Sequence, residues 1–94
     1  MLQELNPLIH SQLRLSIMSI LLSVEEADFL FLKEKTDATA GNISVQLEKL
    51  STAGYIEVRK EFVGKRTRTS CRITERGRQA FEEYVEVLRG YLDL

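Results

Sequence analysis

The chain has 94 residues, 44% of them hydrophobic and 29% charged, and its formal net charge is −1. This length allows one domain and is short for an α/β enzyme that binds a nucleotide cofactor, because chains divide into domains well beyond about 150 residues. The composition is close to the globular average and unlike that of a disordered chain. We therefore expect one folded domain over residues 1–94 that acts with a partner.

The sequence has neither the pattern of a membrane anchor nor that of a secretion signal. The apolar run Leu15–Leu22 is broken by two serines and is much shorter than the roughly 20 residues that span a bilayer. Residues 1–8 carry an acidic residue and no basic residue ahead of an apolar core, unlike a signal peptide. A single cysteine cannot form an internal disulfide, so we expect a cytoplasmic protein without membrane contact.

Charge is distributed unevenly along the chain. Residues 1–54 hold four basic and seven acidic side chains, net −3, and residues 79–94 hold one basic and four acidic, also net −3. Residues 55–78 hold eight basic and three acidic side chains, net +5. A local basic cluster of this kind can meet phosphates, while the acidic remainder limits unspecific attachment to nucleic acid.

Hydrophobic periodicity predicts two helices in the first third of the chain. Apolar residues recur at near-helical spacing over Ile9–Ser23, and Pro7 suits the first turn of such a helix. Asp28 is a suitable N-cap for a second, short helix at Phe29–Lys35, and the dipeptide before that helix could add one short strand.

A third helix follows after a short turn. The turn is Thr36–Ala38, and Thr39 is placed to cap a helix over Ala40–Ala53 whose apolar residues fall at i, i+4 and i+7. Gly54 ends this helix because glycine tolerates the left-handed cap conformation. With only a few residues between them, the second and third helices form a predicted helix-turn-helix.

After the third helix the pattern changes from helical to alternating. Two runs, Tyr55–Phe62 and Arg66–Ile73, alternate apolar or small residues with charged ones around Gly64, which predicts a β-hairpin. Thr74 then caps a last helix, with Glu75 in its first turn and an apolar stripe along one side.

Three short motifs occur in register along these elements. They are a Thr-x-Gly-Asn helix start at Thr39–Asn42, a Leu-x-x-Leu-x-x-x-Gly-Tyr-Ile passage at Leu47–Ile56 and an Ile-Thr-Glu-x-Gly-Arg exit at Ile73–Arg78. With them the sequence resembles, over nearly its whole length, the small winged-helix transcriptional regulators related to the MarR and ArsR groups. Gln46 is a departure, since many relatives carry a histidine there. The resemblance implies a mainly α winged helix-turn-helix domain with a β-hairpin wing, whose terminal helices form a homodimer interface.

The third helix turns a small, polar face away from its apolar side. Such a face suits the DNA major groove, where Asn42 and Gln46 would offer paired donor and acceptor groups to a base edge and Lys49 would reach phosphate. The simpler alternative is a solvated helix face. The DNA-binding candidates on this helix are Thr39, Gly41, Asn42, Ser44, Val45, Gln46 and Lys49.

The predicted hairpin tip concentrates positive charge. One or two cations would be enough to deter pairing at a strand edge, but a cluster of five repels itself without an anionic partner. We expect contact with phosphate or with a minor groove, and Arg66 and Arg68 would point to the same side of a regular strand. The candidate residues on the wing are Arg59, Lys60, Lys65, Arg66 and Arg68.

The last helix carries more apolar side chains than one small domain can cover. Exposed apolar patches mark interfaces, and helices at the two ends of a chain can pair with those of a second copy around a two-fold axis. The alternative is that the last helix folds back on its own core. The candidate dimer-interface residues are Leu5, Ile9, Leu13, Phe81, Tyr84, Val85, Leu88, Tyr91 and Leu92.

The remaining chemically distinctive residues favour structural roles. His10 and Arg14 are one helical turn apart and could touch a phosphate, but one histidine without further ligands makes no metal site, so a structural or interface role is favoured. We interpret Cys71 as a packed side chain rather than a redox sensor, although its basic neighbours Arg68 and Arg72 could lower the pKa of its thiol. The sequence shows no catalytic constellation, so we expect neither an enzyme nor a cofactor.

Two functions from different classes remain open. The first is a homodimeric, sequence-specific DNA-binding transcriptional regulator, and the second is a winged-helix module for protein–protein interaction without DNA binding. The cluster of wing cations favours the first, because a protein-binding wing does not need them together. The sequence indicates no effector ligand.

Overall fold

A computed structural model describes residues 2–93 of the chain. Its elements in chain order are α1 (Gln12–Leu22), β1 (Ala27–Asp28), α2 (Phe29–Thr36), α3 (Ala40–Thr52), β2 (Ile56–Val63), β3 (Arg66–Ile73) and α4 (Glu75–Leu92). The predicted order of helices with one short strand and one hairpin is confirmed. Over the described residues, no helix is both long and apolar enough to cross a membrane.

The first helix begins at Gln12 and not at Ile9, so the predicted start was wrong. Residues 7–9 form a turn instead, with Pro7 inside it. Asn6 caps this turn, because its Oδ1 accepts from the backbone N–H of Leu8 at 2.9 Å and of Ile9 at 3.4 Å. The chain leaves the helical conformation at Ser11, which is extended with a φ of −149° and a ψ of 131°, so α1 starts only after it.

The three strands form one antiparallel sheet in the order β1-β3-β2. Ile56 pairs with Ile73 at the base of the hairpin, and Val63 pairs with Arg66 at its tip. Gly64 has a φ of 66° in the tight turn between them, a conformation that suits glycine. Ala27 of β1 pairs with Cys71 on the other edge of β3, so the root of the hairpin is anchored in the body of the domain.

The core lies between the helices and the lower half of the hairpin. The three apolar residues of α3 that were predicted to face inward, Ile43, Leu47 and Leu50, are buried. They join buried side chains from the other elements, including Ile9, Ile17, Met18, Leu21, Leu32, Ile56, Cys71 and Tyr84. Their burial fixes which face of α3 is left for solvent.

A junction around Thr74 fixes α3, the hairpin and α4 relative to one another. The Thr74 hydroxyl accepts from the backbone N–H of Gly77 at 3.0 Å, as an N-cap, and donates to the carbonyl of Gly54 at 2.6 Å. The Thr74 backbone N–H donates to the carbonyl of Tyr55 at 3.0 Å. Gly77 lies so close that a Cβ there would be 2.1 Å from that same carbonyl oxygen. The glycine of the Ile73–Arg78 motif is therefore required by close backbone packing.

Candidate nucleic-acid interface

The outward face of α3 is polar and open. Thr39 caps the helix, with its hydroxyl accepting from the backbone N–H of Asn42 at 3.1 Å, as the sequence predicted. Only Gln46 among the helix candidates is half-buried. The others, Thr39, Gly41, Asn42, Ser44, Val45 and Lys49, are exposed.

A row of hydrogen bonds crosses this face from α1. The guanidinium of Arg14 donates from Nε to the Leu8 carbonyl and from Nη1 to Oε1 of Gln46. Nε2 of Gln46 in turn donates to Oδ1 of Asn42 at 2.9 Å. The expectation that Asn42 and Gln46 offer paired donors and acceptors needs correction, because both amide oxygens are directed at partners within the chain.

The wing carries its cations on two faces and at its turn. Register and alternation place Arg59, Arg66 and Arg68 on one face, and Lys60 on the opposite face with Val58. Lys65 lies in the turn between the strands. All five wing cations are exposed. Positive charge is therefore presented on both sides of the hairpin.

Arg68 differs from the other wing cations because acidic groups lie near it. Its Nε is 3.8 Å from Oδ2 of Asp28, and Glu61 is its cross-strand partner in β2. Asp28 also caps α2, where its Oδ1 accepts from the backbone N–H of Phe31 at 2.8 Å. In the described part of the chain, none of the other four wing cations forms a salt bridge. Those four have their full charge available for an external partner.

A cleft of about 550 Å³ separates α3 from the wing. Ser44 and Glu48 border it on the helix side, and Lys60 and Thr69 border it on the wing side. The Ser44 and Glu48 side of α3 and the Lys60 face of the wing therefore flank one concave surface. This geometry allows one extended ligand to contact both elements.

Two apolar residues near the wing tip were not singled out by the sequence pattern. Phe62 is 80% exposed and Val63 is 58% exposed, directly before the turn. The alternation over Tyr55–Phe62 is the same along the whole strand, but only its lower half is packed against the core. These two residues are exposed because the hairpin extends beyond the core. Periodicity in the sequence does not show where along the strand the core ends.

The predicted dimer residues fall into three groups. Ile9 and Tyr84 are 0% and 4% exposed within the monomer, so their assignment to an interface was wrong. The tyrosine packs in the core, and its hydroxyl lies 2.9 Å from Nδ1 of His10. Leu92 is 75% exposed, and the remainder, Leu5, Leu13, Phe81, Val85, Leu88 and Tyr91, are half-buried. Part of α4 therefore folds onto its own core, and its C-terminal end stays open.

Cys71 is a packed residue of the core. It is 1% exposed, and burial raises the pKa of its thiol to about 11. Since the thiolate is the reactive form, this thiol is inert at neutral pH, in agreement with the structural role. Within residues 2–93, no group of three or more His, Cys, Asp or Glu side chains is placed to hold a metal ion.

A helix-turn-helix followed by a basic antiparallel hairpin, with a further helix at each end, defines a winged helix-turn-helix domain. Residues 13–92 match the family model described as a winged helix DNA-binding domain, and the chain belongs to this family. The predicted fold is thereby confirmed.

Individual relatives agree with this assignment. The chain is 37% identical over 81 residues to an uncharacterized protein of Methanocaldococcus jannaschii, covering 85% of this chain and 88% of that one. Its structure is similar to that of a transcriptional regulator homologue from Pyrococcus horikoshii, with a TM-score of 0.84, 27% identity, and coverage of 92% and 85%. The transcriptional regulator BldR from Sulfolobus solfataricus gives a TM-score of 0.73 at 26% identity, with 88% of this chain matching 58% of that one.

Proposed function

We propose that the protein is a homodimeric, sequence-specific DNA-binding transcriptional regulator. Each subunit places α3 in a major groove and its wing on the flanking backbone or in a minor groove. The observation that carries the proposal is the concave surface between α3 and the wing, bordered by Ser44 and Glu48 of the helix and by Lys60 of the wing. A neighbour with the same fold, PadR from Bacillus subtilis, was solved in complex with operator DNA, at a TM-score of 0.66 and 19% identity.

Charge distinguishes this proposal from a protein-binding role. Arg59, Lys60, Lys65 and Arg66 are exposed without intramolecular salt bridges among the described residues, and duplex DNA supplies regularly spaced anions for them. The rest of the chain is acidic, which restricts the attraction to the wing side.

The proposed dimer rests on the shape of the domain and on α4. The Cα radius of gyration is 14.3 Å, against about 12 Å for a compact domain of this length. An elongated monomer leaves apolar side chains at its surface, and Val85 and Leu92 lie seven residues apart on one face of α4 outside the core cluster. A second copy that packs against this face would cover them and would present two α3 helices to successive grooves.

DNA binding is tested by selecting fragments from a genomic library and titrating the selected duplex by fluorescence anisotropy at several salt concentrations. Each phosphate contact contributes about −0.9 to the slope of log K against log salt. Arg66→Ala removes one contact per subunit and should flatten the slope of a dimer by roughly 1.8. Lys33→Ala, which removes an exposed cation from α2 outside the cleft, should leave the slope unchanged. Failure to select any DNA, with folding intact, would favour the protein-interaction module.

Assembly is tested by sedimentation of two matched variants. Val85→Glu places a charge in the proposed interface and should give a folded monomer that has lost most of its specific affinity. Val87→Glu makes the same change on another face of α4, beside Glu83 and Glu86, and should remain dimeric. A wild-type monomer at ~50 µM, well above the dissociation constant expected from burying several large side chains, would refute the dimer.

A further inference from the structure

The hydrogen-bonded row Arg14–Gln46–Asn42 joins α1 to the exposed face of α3. Arg14 is held in place by its second bond, from Nε to the Leu8 carbonyl. Gln46 lies between the other two side chains and contacts both of them through its amide. The row ends on Asn42, which is exposed in the first turn of α3. A half-buried arginine on one helix is thus linked to a surface residue on another.

The guanidinium of Arg14 determines which amide atoms donate and which accept along this row of hydrogen bonds. A guanidinium has donors only, so the atom of Gln46 that faces Arg14 must be the amide oxygen. The nitrogen of the Gln46 amide is then the atom that faces Asn42, and it requires an acceptor there. Oδ1 of Asn42 fills this position at 2.9 Å. The nitrogen of the Asn42 amide, which diverges from its oxygen, is therefore directed away from the row.

We propose that Arg14 is a positioning residue for base recognition. Through Gln46 it holds the Asn42 amide with its nitrogen outward, so that Asn42 acts as a hydrogen-bond donor and selects a base edge that has acceptors only. The proposal rests on the proposed function, because it assumes that α3 enters a major groove. Arg14 acts through Gln46 and does not itself touch a base. It deepens the assignment of Asn42 and Gln46 by specifying which atoms they present.

Base edges in the major groove differ in the pattern that such a surface would meet. Guanine presents two acceptors, N7 and O6, and thymine presents the acceptor O4. Adenine places its N6 donor next to N7, and cytosine presents only the N4 donor. A freely rotating asparagine pairs bidentately with adenine through one donor and one acceptor. The Asn42 amide, held by Gln46, has its donor side outward and should discriminate against adenine and cytosine.

Binding-site selection on the full-length protein tests this polarity. The position contacted by Asn42 is the one whose preference disappears in the Asn42→Ala variant. In the wild type, that position should be guanine or thymine. Arg14→Met removes the anchor and lets both amide orientations occur, so the preference over adenine should fall on the order of tenfold, in keeping with the discrimination of a single side chain–base contact.

Gln46→Glu makes a stronger test because it should reverse the polarity. A carboxylate accepts from Arg14 as the amide oxygen does, but it also requires a donor from Asn42. The asparagine must then turn its nitrogen inward and its oxygen outward, so the selected base should change to cytosine or adenine. Ser51→Glu adds the same charge on the exposed side of α3 outside the row. It should weaken binding without changing the base.

The outcomes separate this inference from the function on which it rests. Adenine or cytosine at the Asn42 position of the wild type would overturn the inference, as would an unchanged preference in both Arg14→Met and Gln46→Glu. In either case DNA binding itself would stand. Absence of all DNA selection would overturn the proposed function as well. Thermal unfolding of each variant checks that a change of preference does not come from loss of fold, and Gln46→Glu keeps an acceptor for Arg14.

Discussion

The two elements that flank the cleft present their side chains in opposite ways. On the N-terminal half of α3 the exposed polar groups are uncharged, and Asn42 and Gln46 are held in position by hydrogen bonds that begin at Arg14. On the wing the groups are charged, exposed and, except for Arg68, without a salt bridge in the described chain. The α3 surface holds its polar groups in fixed directions, whereas the wing presents exposed cations that, among the described residues, are mostly not held by salt bridges.

This difference corresponds to the two tasks of a DNA-binding protein. Contacts to bases need defined donor and acceptor directions, because a wrong direction costs a hydrogen bond. Contacts to phosphate need charge within reach, and a flexible side chain meets that need on any sequence. Under the proposed function, specificity would therefore rest on α3 and affinity on the wing, and the following changes test that division.

The largest effect is expected from the junction that holds both regions. Gly77→Ala would put a Cβ 2.1 Å from the backbone carbonyl oxygen of Tyr55, a contact that no side-chain movement relieves. We expect the free energy of unfolding to fall by about 3 kcal/mol, at the upper end for overpacking, together with loss of both specific and unspecific DNA binding. Thermal and denaturant unfolding measure the change.

Gly90→Ala is the matched control for this prediction. Gly90 also lies in α4, and a Cβ there would meet nothing within 4 Å. Alanine is the better helix former, so this variant should be more stable than the wild type by about 0.5–1 kcal/mol. Equal stability of the two variants would show that Tyr55 and Gly77 are not packed as described.

The local elements were predictable because their signals are local. The spacing of Ile43, Leu47 and Leu50 fixes the buried face of α3, and the hydroxyls of Thr39 and Thr74 cap their helices as their positions indicate. The start of α1 was not predictable from periodicity, because the turn capped by Asn6 is separated from α1 by the extended residue Ser11, and apolar spacing carries no signal for this break.

Contacts between distant residues were beyond the sequence pattern. Arg14 and Gln46 are 32 positions apart, and nothing in either segment indicates that their side chains meet. Tyr84 likewise bonds His10, 74 positions away. The sequence therefore indicates candidate interface residues, but not which atoms they present or which apolar residues are buried within the monomer.

The next effect concerns β3, which connects the wing to the core through Cys71. Burial raises the pKa of this thiol from its ordinary value of 9.0 to about 11. The folded state thus prefers the neutral thiol, and its contribution to stability is complete below pH 9 and is lost as the pH rises toward 11. The shift corresponds to a loss of about 2–3 kcal/mol. In Cys71→Ala the fall in unfolding free energy over this range should be smaller by that amount, and identical pH profiles would contradict it.

Lys49 is a charged residue on α3 and gives a further test of the contrast between α3 and the wing. Lys49 is exposed in the last turn of α3, and we expect it to contact phosphate although it belongs to the recognition helix. Lys49→Ala should weaken all DNA sequences alike and reduce the salt slope by about 1 per subunit, without changing the selected motif. Anisotropy titrations with a specific and a scrambled duplex make the test. A loss confined to the specific duplex would place Lys49 on a base.

The smallest effect is expected where the two kinds of surface meet, at Asp28. Its Oδ1 caps α2, and its Oδ2 lies 3.8 Å from Arg68 on the wing. Asparagine is as good an N-cap as aspartate but has no charge, so Asp28→Asn should keep the helix and release Arg68. Because the pair is partly exposed, unfolding free energy should change by less than about 1 kcal/mol. Arg68 then keeps only Glu61 as an acidic neighbour, and DNA affinity at low salt should rise a few-fold with a steeper salt slope. Asp28→Ala should show the same gain in affinity but lose about 1 kcal/mol of stability with the cap.

If Asp28→Asn leaves both affinity and salt slope unchanged while Arg68→Ala lowers them, the ion pair does not restrain Arg68, and all five wing cations already act alike.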